Sequence, residues 1–265
     1  MVTDRVVSLA PSATVTLDAL GAGGALVGAT HACEVPADAG TVTTVGGWPN
    51  PDLDAVESLD PTAVLTCDAL QRETAEALRD RGLPVSHAEP TRLADVFASV
   101  ADVGRAVDDA AGGAALAAAL RRRVDRVRAA VPDDPERRPV VYAEEWGDPP
   151  MAAGNWVPEA VAAAGGRCPF VAPGERSREV APDAVAAAEP DHVVLHWCGR
   201  DRVPASGAFA GRGWDVDAAV HVVDDALLNQ PSPRLVDGVE TLARLLHGVC
   251  VGDENDGDGR YRSSE

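Results

Sequence analysis

Lysine is absent: all 23 basic residues are arginine, set against 42 acidic residues for a formal charge of −19. The absence removes lysine Schiff bases and the phosphate-loop lysine, and so negative a surface repels phosphate backbones and anionic headgroups. Nucleic acid is therefore not an expected partner. Such a composition suits a protein kept dissolved at high salt, where screening blunts repulsion among carboxylates. Cysteine is scarce: five residues with no CxxC pair argue for free thiols over a disulfide framework. No stretch of about 18 apolar residues occurs, so no membrane insertion is expected. The amino end, Met1 to Ala10, shows no charged, apolar, then small-residue leader pattern. It reads as cytoplasmic as it stands, or extracytoplasmic if a leader has been removed.

What is present is 265 residues, 46% hydrophobic and 25% charged, enough for one large or two modest globular cores. Val6 to Ala10 reads as a buried strand, with Ser12 as the N-cap of a helix running to Leu20. Gly21, Gly23 and Gly24 follow that helix, so they read as a C-cap and turn and not as a dinucleotide fingerprint. A strand at Leu26 to Thr30, a helix at Asp52 to Leu59 and a strand at Ala63 to Cys67 continue an alternation that implies a parallel sheet.

From Thr91 to Val131 the pattern is helix only, with Leu93, Val96, Phe97 and Val100 on one face. After a break near Gly104, Asp108 to Val131 would span about 36 Å, weakened locally by Gly112 and Gly113. Beyond it the pattern returns: Asp54-Ala55-Val56, Pro61 and Val64 reappear as Asp183-Ala184-Val185, Pro190 and Val193. The expectation is an α/β molecule of two similar lobes, 1–90 and 138–250, with mainly parallel sheets. A long rigid backbone helix within 91–137 joins them, and 251–265 is a disordered acidic tail.

Ligands of parallel α/β lobes bind beyond the carboxyl ends of the strands. Trp48, Trp146, Trp156 and Trp197 all fall in such segments, although aromatics are only 4% of the chain; Trp214 is the exception. Each indole alone is more often a core residue, but four at strand ends suit a large, flat, partly apolar ligand and few basic groups. His31-Ala32-Cys33 and His196-Trp197-Cys198 place His and Cys at comparable strand ends, and together His31, Cys33, His196 and Cys198 could bind zinc. HxC is not a compact zinc spacing, however, and His31 reads better as a hydrogen-bonding wall residue. Neighbouring Glu144 and Glu145 diverge on a strand, and no GxSxG elbow occurs, so no catalytic residue is assigned.

Three stretches carry a resemblance. Glu145-Trp146-Gly147-Asp148-Pro149-Pro150 leads to Ala153-Gly154-Asn155-Trp156-Val157-Pro158-Glu159; Thr30-His31-Ala32-Cys33-Glu34 lies upstream; Asn229-Gln230-Pro231-Ser232-Pro233-Arg234 lies downstream. Together they resemble the cobalamin-binding branch of the helical-backbone (class III) periplasmic substrate-binding proteins, from Val6 to about His247. The resemblance implies a non-enzymatic receptor that holds cobalamin or another corrinoid in a cleft between lobes for delivery to an ABC importer permease. A ferric siderophore or haem is the alternative ligand, and a metal-chelate-processing enzyme the alternative function. Trp48, Trp146 and Trp156 are carried over as walls against the macrocycle, Ser12, His31 and Asn155 as polar contacts, and Glu73 and Asp201 as importer-docking acids. The ligand's own axial base is not replaced, and one chain is expected to act without a second copy.

Overall fold

The structure, a computed structural model, describes residues 5–199, 204 and 207–251. The expected tail lies almost wholly outside the described residues. The chain divides into two compact units: the first takes in residues up to Pro90 with Ala94–Leu120, the second Thr91–Leu93 and the chain from Arg121 onward.

Unit 1 runs β1 (Val6–Ser8), α1 (Pro11–Ala19), β2 (Leu26–Ala29), β3 (Thr43–Thr44), α2 (Leu53–Ser58), β4 (Ala63–Cys67), α3 (Arg72–Asp80), β5 (Val85–Ala88) and α4 (Leu93–Ala106). Its sheet has the order β3-β2-β1-β4-β5, parallel throughout. β1 and β4 are buried along their whole length, which is why they read as unbroken apolar runs. Their period of two sorts the side chains onto two faces. Val6, Ala63 and Leu65 pack with Leu17 of α1 and Val103 of α4, while Val7 and Val64 pack with Val56 of α2 and Leu78 of α3. Pro11 opens α1 and Ala10 holds the cap position with no side-chain cap. The expected Ser12 cap is therefore corrected: Ser12 is the second residue of the helix and makes no cap hydrogen bond. Asp52 does cap α2, accepting from the amides of Asp54 and Ala55 at 3.1 Å.

The helical stretch is shared by the units, because the division falls inside α5 (Ala110–Ala130). At 21 residues, α5 is about 32 Å long. The break comes at residues 107–109, where Asp108 turns with φ +59°, later than the expected break near Gly104. Gly104 and Gly113 serve a different purpose: a Cβ on Gly104 would come within 2.6 Å of the Gly113 Cα, so α4 and α5 cross with their backbones nearly touching. Gly113 is thus a packing residue more than a weakness in the helix.

Unit 2 contains β6 (Val141–Gly147), β7 (Pro150–Ala152), α6 (Val157–Ala163), β8 (Arg178–Glu179), α7 (Pro182–Ala187), β9 (His192–Leu195), β10 (Ala219–Val222) and α8 (Arg234–His247). Its sheet order is β10-β9-β6-β7-β8, parallel from β10 to β6, with β7 antiparallel to both its neighbours through a turn at Asp148–Pro149, whose peptide bond is cis. Tyr142, Val193 and Leu195 pack with Val185 of α7, Phe170 and Phe209. On the other face, a Cβ on Gly166 would meet Val161 of α6, Leu246 of α8 and Val141 within 3.0 Å.

The sequence repeat is a repeat of form. In each unit a six-residue helix is followed, just past its C-cap, by an acidic residue with φ +46°, Asp60 or Glu189, then by proline and a strand that pairs in parallel with the unit's first strand. Proline disfavours the right-handed helical region for the residue before it, and the left-handed turn redirects the chain. Among the described residues, no helix is long and apolar enough to cross a membrane.

Gly104→Ala tests the helix crossing. Alanine favours a helix interior by about 0.5–1 kcal/mol over glycine, yet the variant is expected to lose about 2 kcal/mol, because the new methyl meets backbone that cannot yield. Denaturant unfolding monitored by circular dichroism reads the sign; a stabilised variant would show that the helices do not cross at this point.

Candidate functional site

In an open parallel sheet, the chain leaves neighbouring strands in opposite directions at one point, and the carboxyl ends there are left uncovered. In unit 1 that point lies between β1 and β4. Gln71, fully buried, ties it together: its Oε1 accepts from the Cys67 amide at 2.9 Å, while its Nε2 donates to the carbonyls of Leu9 at 2.9 Å and Trp48 at 2.8 Å. One side chain thus fixes the ends of β1 and β4 and the loop carrying Trp48, whose ring is half-buried. Ser12 is buried here and hydrogen-bonds the Cys67 thiol, which burial pushes up to about 11. His31 is exposed, its amide donating to Gly46 at 3.1 Å and its ring lying against Gly47.

In unit 2 the corresponding point lies between β6 and β9. There the buried Glu144 carboxylate accepts from the Tyr142 hydroxyl at 2.7 Å, from the Trp197 indole at 2.8 Å and from both terminal nitrogens of Arg212 at 2.6 and 2.7 Å. Arg212 also donates to the Gly147 carbonyl at 3.2 Å and lies over the rings of Trp197, Phe209 and Trp214 at 5.0–5.7 Å. Burial first, and then the Glu144 charge, raise the Tyr142 phenol, while the Glu144 hydrogen bond raises Arg212. Trp197 is half-buried with its orientation fixed, since a Cβ on Gly147 would come within 2.3 Å of its ring. Trp146, near the end of β6, is also half-buried and donates to the Asp148 carbonyl at 2.8 Å.

Two further expected residues sit on the segment after β7. Asn155 is half-buried with φ +51°, its amide and carbonyl both bonded to the 174–175 turn. Trp156 is only 5% exposed and donates its indole N–H to the Leu228 carbonyl at 2.8 Å. Its expected place as a ring wall is corrected: the ring packs at the start of α6, as burying so large an apolar surface favours. Glu73 is exposed in the first turn of α3, and Asp201 lies outside the described residues.

Within each pair of the zinc alternative, the histidine and the cysteine differ in burial. Cys33 is buried, with its thiol 3.3 Å from the Thr30 hydroxyl, while His31 is exposed; His196 is fully buried while Cys198 is exposed. In each pair one member is buried and the other exposed, so the two side chains do not present to one ion. Among the described residues, no three His, Cys, Asp or Glu side chains could hold a metal ion. None of the five cysteines forms a disulfide.

Residues 6–213, more than half of the chain, match the family model described as periplasmic binding protein. The chain belongs to the periplasmic binding protein family. A relative named cobalamin-binding protein, from Halobacterium salinarum, is 29% identical over 94% of this chain and 70% of its own length. The solved structure of the periplasmic vitamin B12-binding protein BtuF of Vibrio cholerae has a TM-score of 0.72 and 21% identity over 92% of this chain and 96% of its own. The periplasmic heme-binding protein BhuT, in complex with two hemes, has a TM-score of 0.73 and 27% identity over 91% and 97%.

Three residues that organise this periplasmic binding protein's strand ends escape a reading by motif. Gln71 and Tyr142 stand in no pattern, and no local spacing announces Arg212 beside the tryptophans. Glu144 and Glu145 do differ as neighbours on a strand should, since Glu144 alone is buried.

Glu144→Gln leaves the Arg212 charge without its partner, so unfolding free energy is expected to fall by about 3–5 kcal/mol, with a changed near-ultraviolet dichroism from Trp197. An unchanged denaturation midpoint would show that the pair contributes nothing. A second measurement concerns His196, which burial lowers to about 4. Unfolded histidine titrates near 6.5, so the unfolded chain binds more protons in this window and stability falls with pH between about 6.5 and 4. The loss expected from His196 is about 3 kcal/mol, read as the difference between the parent and His196→Gln in urea unfolding at pH 7 and pH 4. Equal pH slopes in the two proteins would contradict it.

Proposed function

We propose that this chain is a non-enzymatic receptor for cobalamin or a related corrinoid, taken up at the strand-end rims and delivered to an ABC importer permease. The observation that carries the reading is the Trp197 ring, fixed half-open at the unit 2 strand ends by Glu144. A flat, immobile indole face gives a broad macrocycle apolar contact without an ordering penalty at binding. The relative named cobalamin-binding protein supports the choice of ligand. Trp48, Trp146 and Trp197 serve as the flat contacts, and His31 and Asn155 as polar ones, while Ser12 and Trp156 act from behind by holding the rim. Glu73, exposed on α3, is the docking acid of unit 1. The family's periplasmic character supports work outside the cytoplasmic membrane over the cytoplasmic expectation.

Haem is the second reading, favoured by the likeness to BhuT. Cyanocobalamin, haemin and a ferric siderophore titrated in parallel separate the ligands. Cyanocobalamin is expected to quench tryptophan emission at micromolar concentration with one site per chain, and Trp197→Ala to weaken it about tenfold, the equivalent of about 1.4 kcal/mol. Absence of both quenching and heat with cyanocobalamin would overturn the corrinoid reading.

A further inference from the structure

Two imidazoles of unit 2 meet on neighbouring strands. His192 opens β9 and His221 lies in β10, the edge strand, and the parallel register pairs His192 with Ala219 and Val194 with His221. Residues two apart on a strand share a face, so both rings stand on the same side of the sheet. His192 Nδ1 lies 2.9 Å from His221 Nε2, and the stacked rings have 24° between their planes. Both residues are half-buried, so neither is sealed from solvent. The pair sits at the amino end of β9, whereas Trp197 follows its carboxyl end, and the ligand reading makes no use of it.

Two neutral imidazoles satisfy each other when one of the facing nitrogens carries a hydrogen and the other a lone pair. Moving that hydrogen to the far nitrogen of its own ring leaves two lone pairs side by side, the donor set of a bidentate chelate. Nitrogens 2.9 Å apart subtend about 90° at a cation about 2.1 Å from each. That is the angle between neighbouring positions of a square-planar or octahedral complex, whereas a tetrahedral ion needs its donors about 3.4 Å apart. Imidazole donors in tetragonal geometry select Cu2+ or Ni2+.

The surroundings suit a cation. Asp191, next to His192, favours positive charge there and is held by the Val140 amide, which donates to its Oδ2 at 2.7 Å. His247 of α8 also acts on His192, but its Nε2 is engaged 3.2 Å from the Gly165 carbonyl. Burial lowers both facing histidines, so at pH 7 protons do not compete for their nitrogens. With two protein ligands, water fills the remaining positions, in keeping with the lack of any three-residue metal cluster among the described residues.

We infer that His192 and His221 form a chelating site for one tetragonal divalent cation, Cu2+ or Ni2+, which clips the edge strand β10 to β9. The site is separate from the strand-end rim and independent of which macrocycle the rim takes.

The test adds copper(II) chloride, and in parallel nickel(II) chloride, to the full chain at pH 7, with calorimetry as the readout. One equivalent of Cu2+ is expected to bind more tightly than Ni2+, as the usual order of divalent affinities requires. His192→Gln and His221→Gln are each expected to weaken Cu2+ binding about tenfold or more. Added Cu2+ should raise the thermal midpoint of the parent and leave that of either variant unchanged. Equal affinity in the parent and the folded variants overturns the site, because the copper then rests on other groups, such as the exposed His31. A measurement on the parent alone stands whether or not the variants fold: substoichiometric Cu2+ should broaden the imidazole NMR signals of His192 and His221 together and before those of His31. Broadening that begins at His31, or reaches one ring of the pair without the other, overturns the chelate and shows the contact to be a hydrogen bond only.

Discussion

Each unit depends on a gap that parallel pairing creates and cannot itself close. Where adjacent strands send the chain away on opposite sides, their last carbonyls and amides face no further strand, and something must hold the departing loops. In unit 1 this is Gln71, which uses both ends of its amide to join the ends of β1 and β4 to the Trp48 loop. In unit 2 it is Glu144, whose carboxylate joins β6 to the segment after β9 through Trp197 and to the 207–214 segment through Arg212. The two solutions differ chemically, one neutral and one ionic, on frameworks of the same topological kind.

The difference shows in the aromatic side chains. Trp48 is placed through a backbone carbonyl, so its ring is limited by the loop and by packing. Trp197 is gripped by its own indole nitrogen, covered on one side by Arg212 and pressed on Gly147. Its rotamer is determined three times over before any ligand arrives, and a surface prepared in this way loses little entropy on binding. The ionic version carries a requirement: Glu144 and Arg212 are tolerated away from water only as a pair, with Tyr142 and Trp197 filling the remaining acceptor positions.

Much of this fold was legible in the sequence because it rests on short-range patterning. Unbroken apolar runs marked β1 and β4, the 52–59 pattern marked α2, and the repeated helix–proline–strand unit marked the likeness of the two units, while the shared backbone angle of Asp60 and Glu189 came only with the structure. Short edge strands such as β3 and β8, two residues each, carry too little pattern to be seen. Long-range partnership was hidden for a different reason. Gln71 finds Leu9 far back along the chain, and Arg212 finds Glu144 across much of unit 2; no local spacing records either pairing. Gly113 looked like a flaw in a helix because the backbone that approaches it, at Gly104, belongs to another helix. Trp156 looked like its neighbours at strand ends, and only its bond to Leu228 shows that its ring turns inward.

The arginine-only chemistry has a bearing on where such a molecule can work. In molar brine the Debye length shrinks to about 3 Å, so charges standing apart in water scarcely sense one another. The crowd of surface carboxylates then ceases to strain the fold, and exposed ion pairs such as Arg128 with Asp125 lose most of their worth. The Arg212–Glu144 contact, 2.6 Å long and closed to solvent on the carboxylate side, is beyond the reach of that ionic atmosphere. The part of the rim that fixes Trp197 is therefore the part whose electrostatics change least between fresh water and brine.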